Sequence, residues 1–503
     1  NAKTDKKIKG ISLLNVNSNL GLAQTKALRD KLEEFKESGK FVVSYANYYT
    51  QKQYYLASVA DTVYVNPVGI VEFKGLSSEI LFFKDFQEKY GIKYEVIRHG
   101  KYKSAVEPYL ENQMSDENRL QMEELLTSAW ETIVTDISKN RNISVDSLNA
   151  IADRLGARTP ERAKTTRLID KVIYEDEYHN GIKKALGTEK DEDYNTVDMS
   201  KYATNVGVSL KGKKTGDKIA VIYAQGQIWE GEGNPKIIGE GYVKKSLQDA
   251  VKDKNIKAIV LRVDSPGGSA LTSDIIWREI ELTKKHKPVV VSMGNLAASG
   301  GYYISCNADK IFAEPTTITG SIGVFGAIPN VKGFVNNMGI YSDIVSTHEN
   351  SFEYSIFRPL TESTKNVITE SIENIYDVFL TRVADGRGMT KEQVNEVAQG
   401  RVWTGTDAKR LGLVDEIGGL GDAIAYAAEL VKTEKYNLQS FPVFKKTLQE
   451  FFNESSPFPL MKTRESLIKQ EIGEENYQII EQIRNMNSRK GVQAMMPYEI
   501  IIR

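Results

Sequence analysis

Residues Ser292–Pro315 read SMGNLAASGGYYISCNADKIFAEP, and Ser44–Pro67 read SYANYYTQKQYYLASVADTVYVNP. The two stretches align without a gap at a constant offset of 248 residues. The residues that recur are Ser44, Asn47, Tyr54, Tyr55, Ala60, Asp61 and Pro67, which correspond to Ser292, Asn295, Tyr302, Tyr303, Ala308, Asp309 and Pro315. Where the second copy has Ser299-Gly300-Gly301, the first has Gln51-Lys52-Gln53. The chain therefore contains one fold twice, and only one copy keeps a candidate nucleophile.

The segments around these stretches predict repeated βαβ units. In each copy a short apolar strand is followed by a helix-like segment and then by a second strand. Strands that alternate with helices are typical of parallel α/β sheets with right-handed crossover connections. The predicted elements are the strands Ile8–Leu13, Lys40–Tyr45, Ile256–Leu261, Pro288–Met293 and Lys310–Ala313, the helices Leu20–Ser38 and Ala270–His286, and helical arms at Glu117–Lys139 and Glu362–Asp385.

The length of the chain, 503 residues, exceeds what one hydrophobic core usually supports, so several domains are expected. We predict an N-terminal repeat at residues 1–186, a polar linker at 187–217, a C-terminal repeat at 218–435 and a C-terminal extension at 436–503. The extension is charged and helix-prone, with a loop at Ser455–Pro459, and its sequence indicates no role.

The second repeat opens with an extra strand, Ile219–Tyr223. The offset between the copies puts the counterpart of this strand before Asn1, outside the chain. We therefore expect that the natural N-terminus, with any signal or membrane anchor, has been removed. The sequence has no run of about 18 or more apolar residues, so it predicts no membrane-spanning helix.

Composition excludes several classes of protein. A hydrophobic content of 41% and a charged content of 26% are typical of globular proteins, and a net charge of −1 gives no basic footprint for nucleic acid. Cys306 is the only cysteine, so an intrachain disulfide is impossible. The histidines lie far apart and outside any metal-ligand spacing, so they indicate no metal site. They are His99, His179, His286 and His348.

Ser299 follows the apolar strand Pro288–Met293 and begins a glycine-rich turn. Such a turn exposes the serine oxygen, and the N–H groups of a following helix then lie close to any oxyanion that forms. An isolated Ala-Ser-Gly-Gly would more often be a helix N-cap with glycines that allow close packing. The replacement by Gln51 in the other copy favours the catalytic interpretation.

A second glycine-rich stretch, Ser265-Pro266-Gly267-Gly268-Ser269, ends the apolar strand Ile259–Val263. Its glycines can turn backbone N–H groups toward a ligand, as an oxyanion hole requires. Taken alone, the stretch is equally well explained as an ordinary strand-to-helix turn. The first copy has Asn17-Ser18-Asn19-Leu20-Gly21 here, so this feature is absent from the copy that lacks the serine.

A nucleophilic serine needs a base, and no histidine fits. A lysine serves if burial lowers its pKa from about 10.4 toward neutrality. The second copy has no lysine between Lys332 and Lys365, whereas the first has GKYKSAVEP in the corresponding region. The residues alone do not separate Lys101 from Lys103. In the stretch TGSIG, the hydroxyl of Ser321 is either a support for a neutral lysine amine or part of a β-turn.

Four motifs in this order, GKYKSAVEPY, SPGGS, MGNLAASGGYYIS and TGSIGVFG, resemble those of signal peptide peptidase A, the protease IV family, in its long duplicated form. The resemblance extends from about Lys7 to Val431. It implies a tandem repeat of two crotonase-like or Clp-protease-like α/β domains with helical arms.

The resemblance also implies roles for individual residues. Ser299 matches the nucleophile, Lys103 the general base, and Ser321 the hydroxyl that orients the lysine amine. Gly300 and the glycines of SPGGS match the oxyanion-hole donors, Gly268 more closely than Gly267. The implied enzyme is a Ser–Lys dyad serine endopeptidase without a cofactor.

The implied substrates are signal-peptide remnants and other apolar peptides. The resemblance further implies a homotetramer on the periplasmic, extracytoplasmic face of the cell inner membrane, attached through the missing N-terminal segment. Two alternatives come from other classes of protein. One is an acyl-CoA hydrolase or hydratase on a crotonase-type fold, and the other is a non-catalytic assembly protein.

Overall fold

A computed structural model describes residues 1–17, 19–189, 192–210, 216–348, 351, 354–443 and 493–495. Within these residues the chain forms two α/β units. The first unit contains β1 (Gly10–Leu14), α1 (Leu22–Lys36), β2 (Phe41–Tyr49), α2 (Gln51–Ala57), β3 (Thr62–Val71), α3 (Lys84–Tyr90), β4 (Lys93–His99), a 3₁₀ turn (Ser104–Val106), α4 (Glu107–Leu110), α5 (Asp116–Arg141), α6 (Val145–Asp153), α7 (Pro160–Thr165), β5 (Lys171–Val172) and α8 (Glu175–Leu186).

Helix α9 (Met199–Leu210) connects the two units. The second unit contains β6 (Lys218–Gln225), β7 (Gln227–Trp229), β8 (Ile237–Gly239), α10 (Glu240–Lys252), β9 (Ile256–Ser265), β10 (Gly267–Ser269), α11 (Ala270–Lys284), β11 (Val289–Ala298), α12 (Gly300–Tyr303), β12 (Lys310–Ala313), β13 (Ile318–Gly320), β14 (Val324–Asn330), α13 (Lys332–Asn337), α14 (Glu362–Arg387), α15 (Lys391–Val397), β15 (Val402–Thr404), α16 (Gly405–Arg410), β16 (Glu416–Ile417), α17 (Leu420–Leu430) and β17 (Asn437–Phe441). The short strand β18 (Gln493–Met495) follows much later in the sequence.

Each repeat is built on a parallel sheet, as the alternation of strands and helices predicts. The first sheet has the order β1-β2-β3-β5, with every pair parallel. The second has the order β15-β13-β11-β9-β6-β17, with β12 and β16 continuing from β11, and only its β13–β15 pair is antiparallel. Each repeat buries its own apolar core, because helices cover the sheets.

Two of the residues that recur between the copies make the same hydrogen bonds in both. An aspartate carboxylate accepts from an amide at the beginning of a central strand, and a buried tyrosine hydroxyl donates to a carbonyl of the closing segment. These bonds join Val42 N to Asp61 Oδ2 (2.8 Å) and Tyr54 Oη to Leu168 O (2.7 Å) in the first copy, and Val289 N to Asp309 Oδ2 (2.7 Å) and Tyr302 Oη to Leu413 O (2.8 Å) in the second. These recurring residues therefore stabilise the same scaffold in both copies.

A third sheet joins the two repeats. Its order is β4-β14-β18-β10-β7-β8, so β4 of the first repeat pairs with β14 of the second. This antiparallel pairing runs without interruption from Val324 opposite His99 to Asn330 opposite Lys93. The segment that follows β4 is thereby fixed against the second repeat.

Two regions, the predicted linker and the predicted C-terminal extension, contain structure that the sequence does not indicate. The predicted linker, 187–217, includes helix α9, whose first amides at Ser200 and Lys201 donate to the Asp198 carboxylate. Strands β17 and β18 both lie in the predicted C-terminal extension, yet β17 pairs with β6 and β18 pairs with β10. The predicted loop Ser455–Pro459 lies outside the described residues. No helix in the described ranges is both long enough and apolar enough to cross a membrane.

Candidate active site

Ser299 lies at the sharp turn between β11 and α12, and its side chain is completely buried. Its backbone has φ 55° and ψ −115°, a conformation that costs a non-glycine residue about 1–3 kcal/mol. Two backbone bonds hold it there: Ser299 N donates to Gly320 O at 2.8 Å, and Tyr303 N donates to Ser299 O at 2.8 Å. The hydroxyl makes no N-cap bond, so the capping interpretation of this serine does not apply.

Lys103, from the other repeat, reaches this serine. It follows β4 and is completely buried, with its Nζ 3.0 Å from Ser299 Oγ. The same nitrogen lies 3.0 Å from the carbonyl oxygen of Ser321 and 3.0 Å from its Oγ. Burial lowers the pKa of Lys103 well below its ordinary value, because the charged ammonium loses its hydration. Lys101, the other lysine of the motif, is exposed and lies over the ring of Tyr102.

Ser321 contacts the lysine from the connection between β13 and β14. Like Ser299 it is buried with a positive φ, 49°, and its N–H donates to Arg401 O at 2.7 Å. Backbone bonds to neighbouring segments therefore fix both serines in strained conformations. Preorganisation of this kind is common where polar side chains must converge on one point.

The predicted oxyanion glycines line the opposite side of Ser299. A methyl group at Gly267 would lie 2.7 Å from Gly300 N, so these two residues approach too closely to admit a side chain. At Gly268 a methyl group would lie 2.0 Å from Ile228 O, because β10 is packed against β7. The N–H of Gly267 donates to Ser265 Oγ at 3.1 Å. The N–H group of Gly267 is therefore already used in a hydrogen bond within the turn.

The profile of the family described as Peptidase family S49 matches residues 34–189 and 281–434, which fall in both repeats and make up more than half of the chain. The chain belongs to peptidase family S49. It is 39% identical over 439 residues to "Protease 4" of Haemophilus influenzae, an alignment covering 86% of this chain and 71% of that protein. It is 34% identical over 475 residues to "Serine protease SPPA, chloroplastic" of Arabidopsis thaliana, covering 91% and 67% of the two chains.

Family membership confirms three predictions made from the sequence. The resemblance to the protease IV family was correct, the fold is of the Clp-protease-like class in duplicate, and the enzyme is a serine peptidase. Neither the acyl-CoA enzyme nor the non-catalytic assembly protein is supported.

The sequence motifs did not reveal how the backbone of Lys103 is held. Gly400, with φ 82°, packs so closely that a methyl group there would lie 2.6 Å from Lys103 Cβ. Gly323 faces the middle of the side chain, where a methyl group would lie 3.2 Å from Lys103 Cδ. These glycines leave the lysine stem a channel between the repeats. In the sequence, the only sign that these two positions make room for Lys103 is that they are glycines. Because the sequence has many other glycines, that sign does not single them out.

A buried polar network supports the turn that carries Lys103. Gln121, on α5, donates from Nε2 to Tyr102 O at 3.1 Å and to Ser104 Oγ at 2.8 Å. The backbone N–H of Val402 in the second repeat donates to Gln121 Oε1 at 3.4 Å. This one side chain therefore holds both flanks of the lysine and contacts the other repeat.

Glu107 forms a second part of this support. Its buried carboxylate accepts from Ser115 Oγ at 2.6 Å and from Asn118 Nδ2 at 2.8 Å, and lies 3.7 Å from Arg98 Nη1. Arg98 also donates to the carbonyl of Lys103 at 3.3 Å. Glu107 thus links the start of α5 to the end of β4. Residues Ser104–Val106 form a 3₁₀ turn, and the short helix α4 follows it directly.

Gln51, at the position of the lost serine, has a structural role. Its Oε1 accepts from Lys74 N at 2.8 Å and Gly75 N at 2.9 Å, and its Nε2 donates to Gly75 O at 2.7 Å. The amide therefore anchors the chain after β3. This use of both amide atoms explains why glutamine suits the first copy.

The histidines occupy scaffold or surface positions. The ring of His99 stacks on Tyr376 with centroids 4.0 Å apart, and Nδ1 of His179 lies 2.6 Å from Tyr194 Oη. His286 and His348 are exposed. Among the described residues, no group of three or more histidine, cysteine, aspartate or glutamate side chains is arranged to hold a metal ion.

Proposed function

We propose that this S49 peptidase is an endopeptidase that hydrolyses cleaved signal peptides with Ser299 as nucleophile and Lys103 as general base. One observation carries the proposal: two completely buried side chains from different repeats meet with Nζ and Oγ 3.0 Å apart. Burial lowers the pKa of Lys103 and so favours the neutral amine, whose lone pair can accept a proton.

The hydrogen bonds around Lys103 define its orientation in this mechanism. Two of its N–H bonds point to the carbonyl oxygen and the hydroxyl of Ser321, which leaves the lone pair for the hydroxyl of Ser299. Lys103 takes the Ser299 proton as Oγ attacks the peptide carbonyl, and then gives it to the leaving amine. In the second half the same amine activates the water that hydrolyses the acyl-enzyme. Ser321 acts as a positioning residue.

The negative charge on the carbonyl oxygen needs donors on the other side of Ser299. The backbone N–H groups of Gly268 and Gly300 are the proposed pair, because Gly267 already donates to Ser265. Gly267 then serves by its lack of a side chain, which lets the carbonyl approach Gly300. Preorganised backbone donors of this kind typically contribute a factor of about 10²–10³ each to kcat.

The substrate class follows from the family resemblance set out above. Apolar segments of cleaved signal peptides suit a site beside which the apolar side chains of Ala105, Val106 and Phe325 cluster. We further propose a homotetramer at the extracytoplasmic face of the inner membrane. The exposed apolar side chains of Leu81, Phe86, Met338 and Tyr341 provide apolar surface of the kind that such contacts bury.

Hydrolysis of a fluorogenic apolar peptide tests the mechanism. Ser299→Ala and Lys103→Ala are each expected to lower kcat by roughly 10³-fold or more, whereas Lys101→Ala keeps the rate. Lys101 is the matched control because it lies two positions from Lys103 but is exposed. Normal cleavage by Lys103→Ala would show that the base is elsewhere. Cleavage of apolar signal peptides in preference to polar peptides of equal length tests the substrate class.

A further inference from the structure

The guanidinium group of Arg401 lies between two aromatic rings at the boundary of the repeats. Its Cζ is 4.8 Å from the centre of the Tyr102 ring and 4.2 Å from the centre of the Trp403 ring. Tyr102 precedes Lys103 in the first repeat, whereas Trp403 belongs to β15 of the second. At the edge of the group, Nη2 pairs with the carboxylate of Glu124 on α5. One side chain of the second repeat therefore contacts two elements of the first.

The backbone of Arg401 contacts the residues that surround the lysine amine. Its carbonyl oxygen accepts from the N–H of Ser321 at 2.7 Å. Ser321 in turn contacts Lys103 Nζ through its carbonyl oxygen and its hydroxyl, each at 3.0 Å. The residue before Arg401 is Gly400, which packs against the stem of Lys103. The segment Gly400–Arg401 therefore touches both the lysine and the serine that orients its amine.

Arginine is the residue type that makes all of these contacts at once. Its guanidinium group is planar, so both faces can stack on rings while its N–H groups donate in the plane to a carboxylate. The Arg401 side chain is only 15% exposed, and its Nε is buried with no hydrogen-bond partner among the residues that the structure describes. Leaving a buried N–H group unpaired costs free energy, so the two rings and the carboxylate must outweigh that cost.

We propose that Arg401 is a positioning residue, which clamps the turn of Lys103 against the turn of Ser321. It acts through the ring of Tyr102 and through its own carbonyl oxygen rather than on the reacting atoms. This inference rests on the proposed function, because the clamp serves the amine of the same lysine. While the clamp is closed, the amine is kept at hydrogen-bond distance from the nucleophile and away from water. When it loosens, water reaches the amine and favours its protonated form.

Hydrolysis of a fluorogenic apolar peptide by the full chain, followed from pH 5 to 10, tests the clamp. Arg401→Ala should lower kcat by roughly 10- to 100-fold with little change in KM, because the amine is misplaced. It should also move the basic limb of kcat/KM to higher pH, since a hydrated Lys103 amine is protonated more readily. A merely structural arginine would lower the melting temperature without moving this limb. Arg410→Ala is the matched control, because Arg410 is exposed and pairs with Asp407 of its own repeat, and it should keep the parent's kcat and limb.

Two further variants separate position from charge. Loss of a positive charge would by itself raise the pKa of Lys103, so Arg401→Lys, which keeps the charge but cannot stack flat on two rings, is decisive. It should show the same losses as Arg401→Ala. Tyr102→Leu removes one ring and should move the limb in the same direction, and combining it with Arg401→Ala should cost less than the product of the two single losses. These variants also decide the question if circular dichroism shows that Arg401→Ala does not fold.

Lys103→Ala, measured in the same series, separates the inference from the proposed function. If the parent hydrolyses the peptide and Lys103→Ala does not, but Arg401→Ala keeps the parent's kcat and limb, the clamp is wrong and the proposed function stands. If Lys103→Ala is as fast as the parent, both are wrong. Full activity and an unmoved limb in Arg401→Lys would show that charge alone suffices, and a change confined to KM would assign Arg401 to peptide binding. Either result overturns the inference.

Discussion

Lys103 and Ser299 lie 196 positions apart in the chain, yet Lys103 Nζ and Ser299 Oγ are 3.0 Å apart. Each residue is fixed within its own repeat, the lysine by the turn after β4 and the serine by the turn after β11. The β4–β14 pairing sets the position of one turn relative to the other. The site is therefore a product of the interface between the repeats, and changes at that interface should affect catalysis directly.

The pH dependence of hydrolysis should report the Lys103 amine. Burial lowers the pKa of Lys103, and only the neutral amine accepts the Ser299 proton. Activity should therefore rise with pH through that lowered pKa along a limb of unit slope, and stay high above it. The logarithm of kcat/KM against pH from 5 to 10 measures this limb. A limb positioned at the ordinary lysine pKa would contradict the burial argument.

The burial of Lys103 should also lower the free energy of unfolding of the protein. The pKa of Lys103 is lowered in the folded state, so below the unfolded pKa the folded state holds the Lys103 proton less tightly than the unfolded state does, which disfavours folding. Lys103→Met keeps the shape of the stem without this cost, and should raise the melting temperature at pH 7. The gain should shrink as pH rises toward about 10.4, where the unfolded lysine also becomes neutral. Calorimetry across this range provides the measurement, and a gain that does not depend on pH would refute the explanation.

Gly400→Ala should displace Lys103. The added methyl group would lie 2.6 Å from Lys103 Cβ, so the lysine must move, and a misplacement of about 1 Å costs on the order of 10²-fold in rate. Gly412→Ala is a matched control, because Gly412 also has a positive φ, 79°, but its nearest neighbour would be Met389 Sδ at 3.9 Å. Both variants should lose similar stability from backbone strain, while only Gly400→Ala loses kcat. Equal kcat values for the two would show that the contact does not matter.

Gln121→Ala should weaken catalysis by loosening the turn around Lys103. Loss of the bonds to Tyr102 O and Ser104 Oγ should lower kcat by roughly 10-fold with little change in KM, since the Gln121 side chain is buried. Glu123→Ala, an exposed position on the same helix, should leave both constants unchanged. A change confined to KM would indicate that Gln121 contributes to peptide binding instead.

Much of the scaffold could be predicted because the repeat encodes it locally. The strand Lys310–Ala313 was predicted with its observed bounds, and the helices α1, α5, α11 and α14 fall within a few residues of their predicted ends. Apolar periodicity and the gap-free alignment are sufficient for that, because each βαβ unit is contiguous in sequence.

The third sheet could not be predicted. Its strands come from both repeats and from the C-terminal region, and no local pattern specifies pairings between such distant segments. The choice between Lys101 and Lys103 was open for the same reason, since it depends on which side chain enters the interface. Gly400 was missed because its role is visible only when Lys103 packs against it.

The division of the dyad between two repeats has a consequence for the protein's synthesis. The ribosome completes the N-terminal repeat first, and domains generally fold in that order. At that stage the chain has its lysine but no nucleophile, and Gln51 occupies the equivalent place. Under the proposed mechanism, a chain that lacks the second repeat has no nucleophile, so peptidase activity begins only when the second repeat has folded onto the first. The duplication would in this way delay peptidase activity until synthesis of the second repeat is complete.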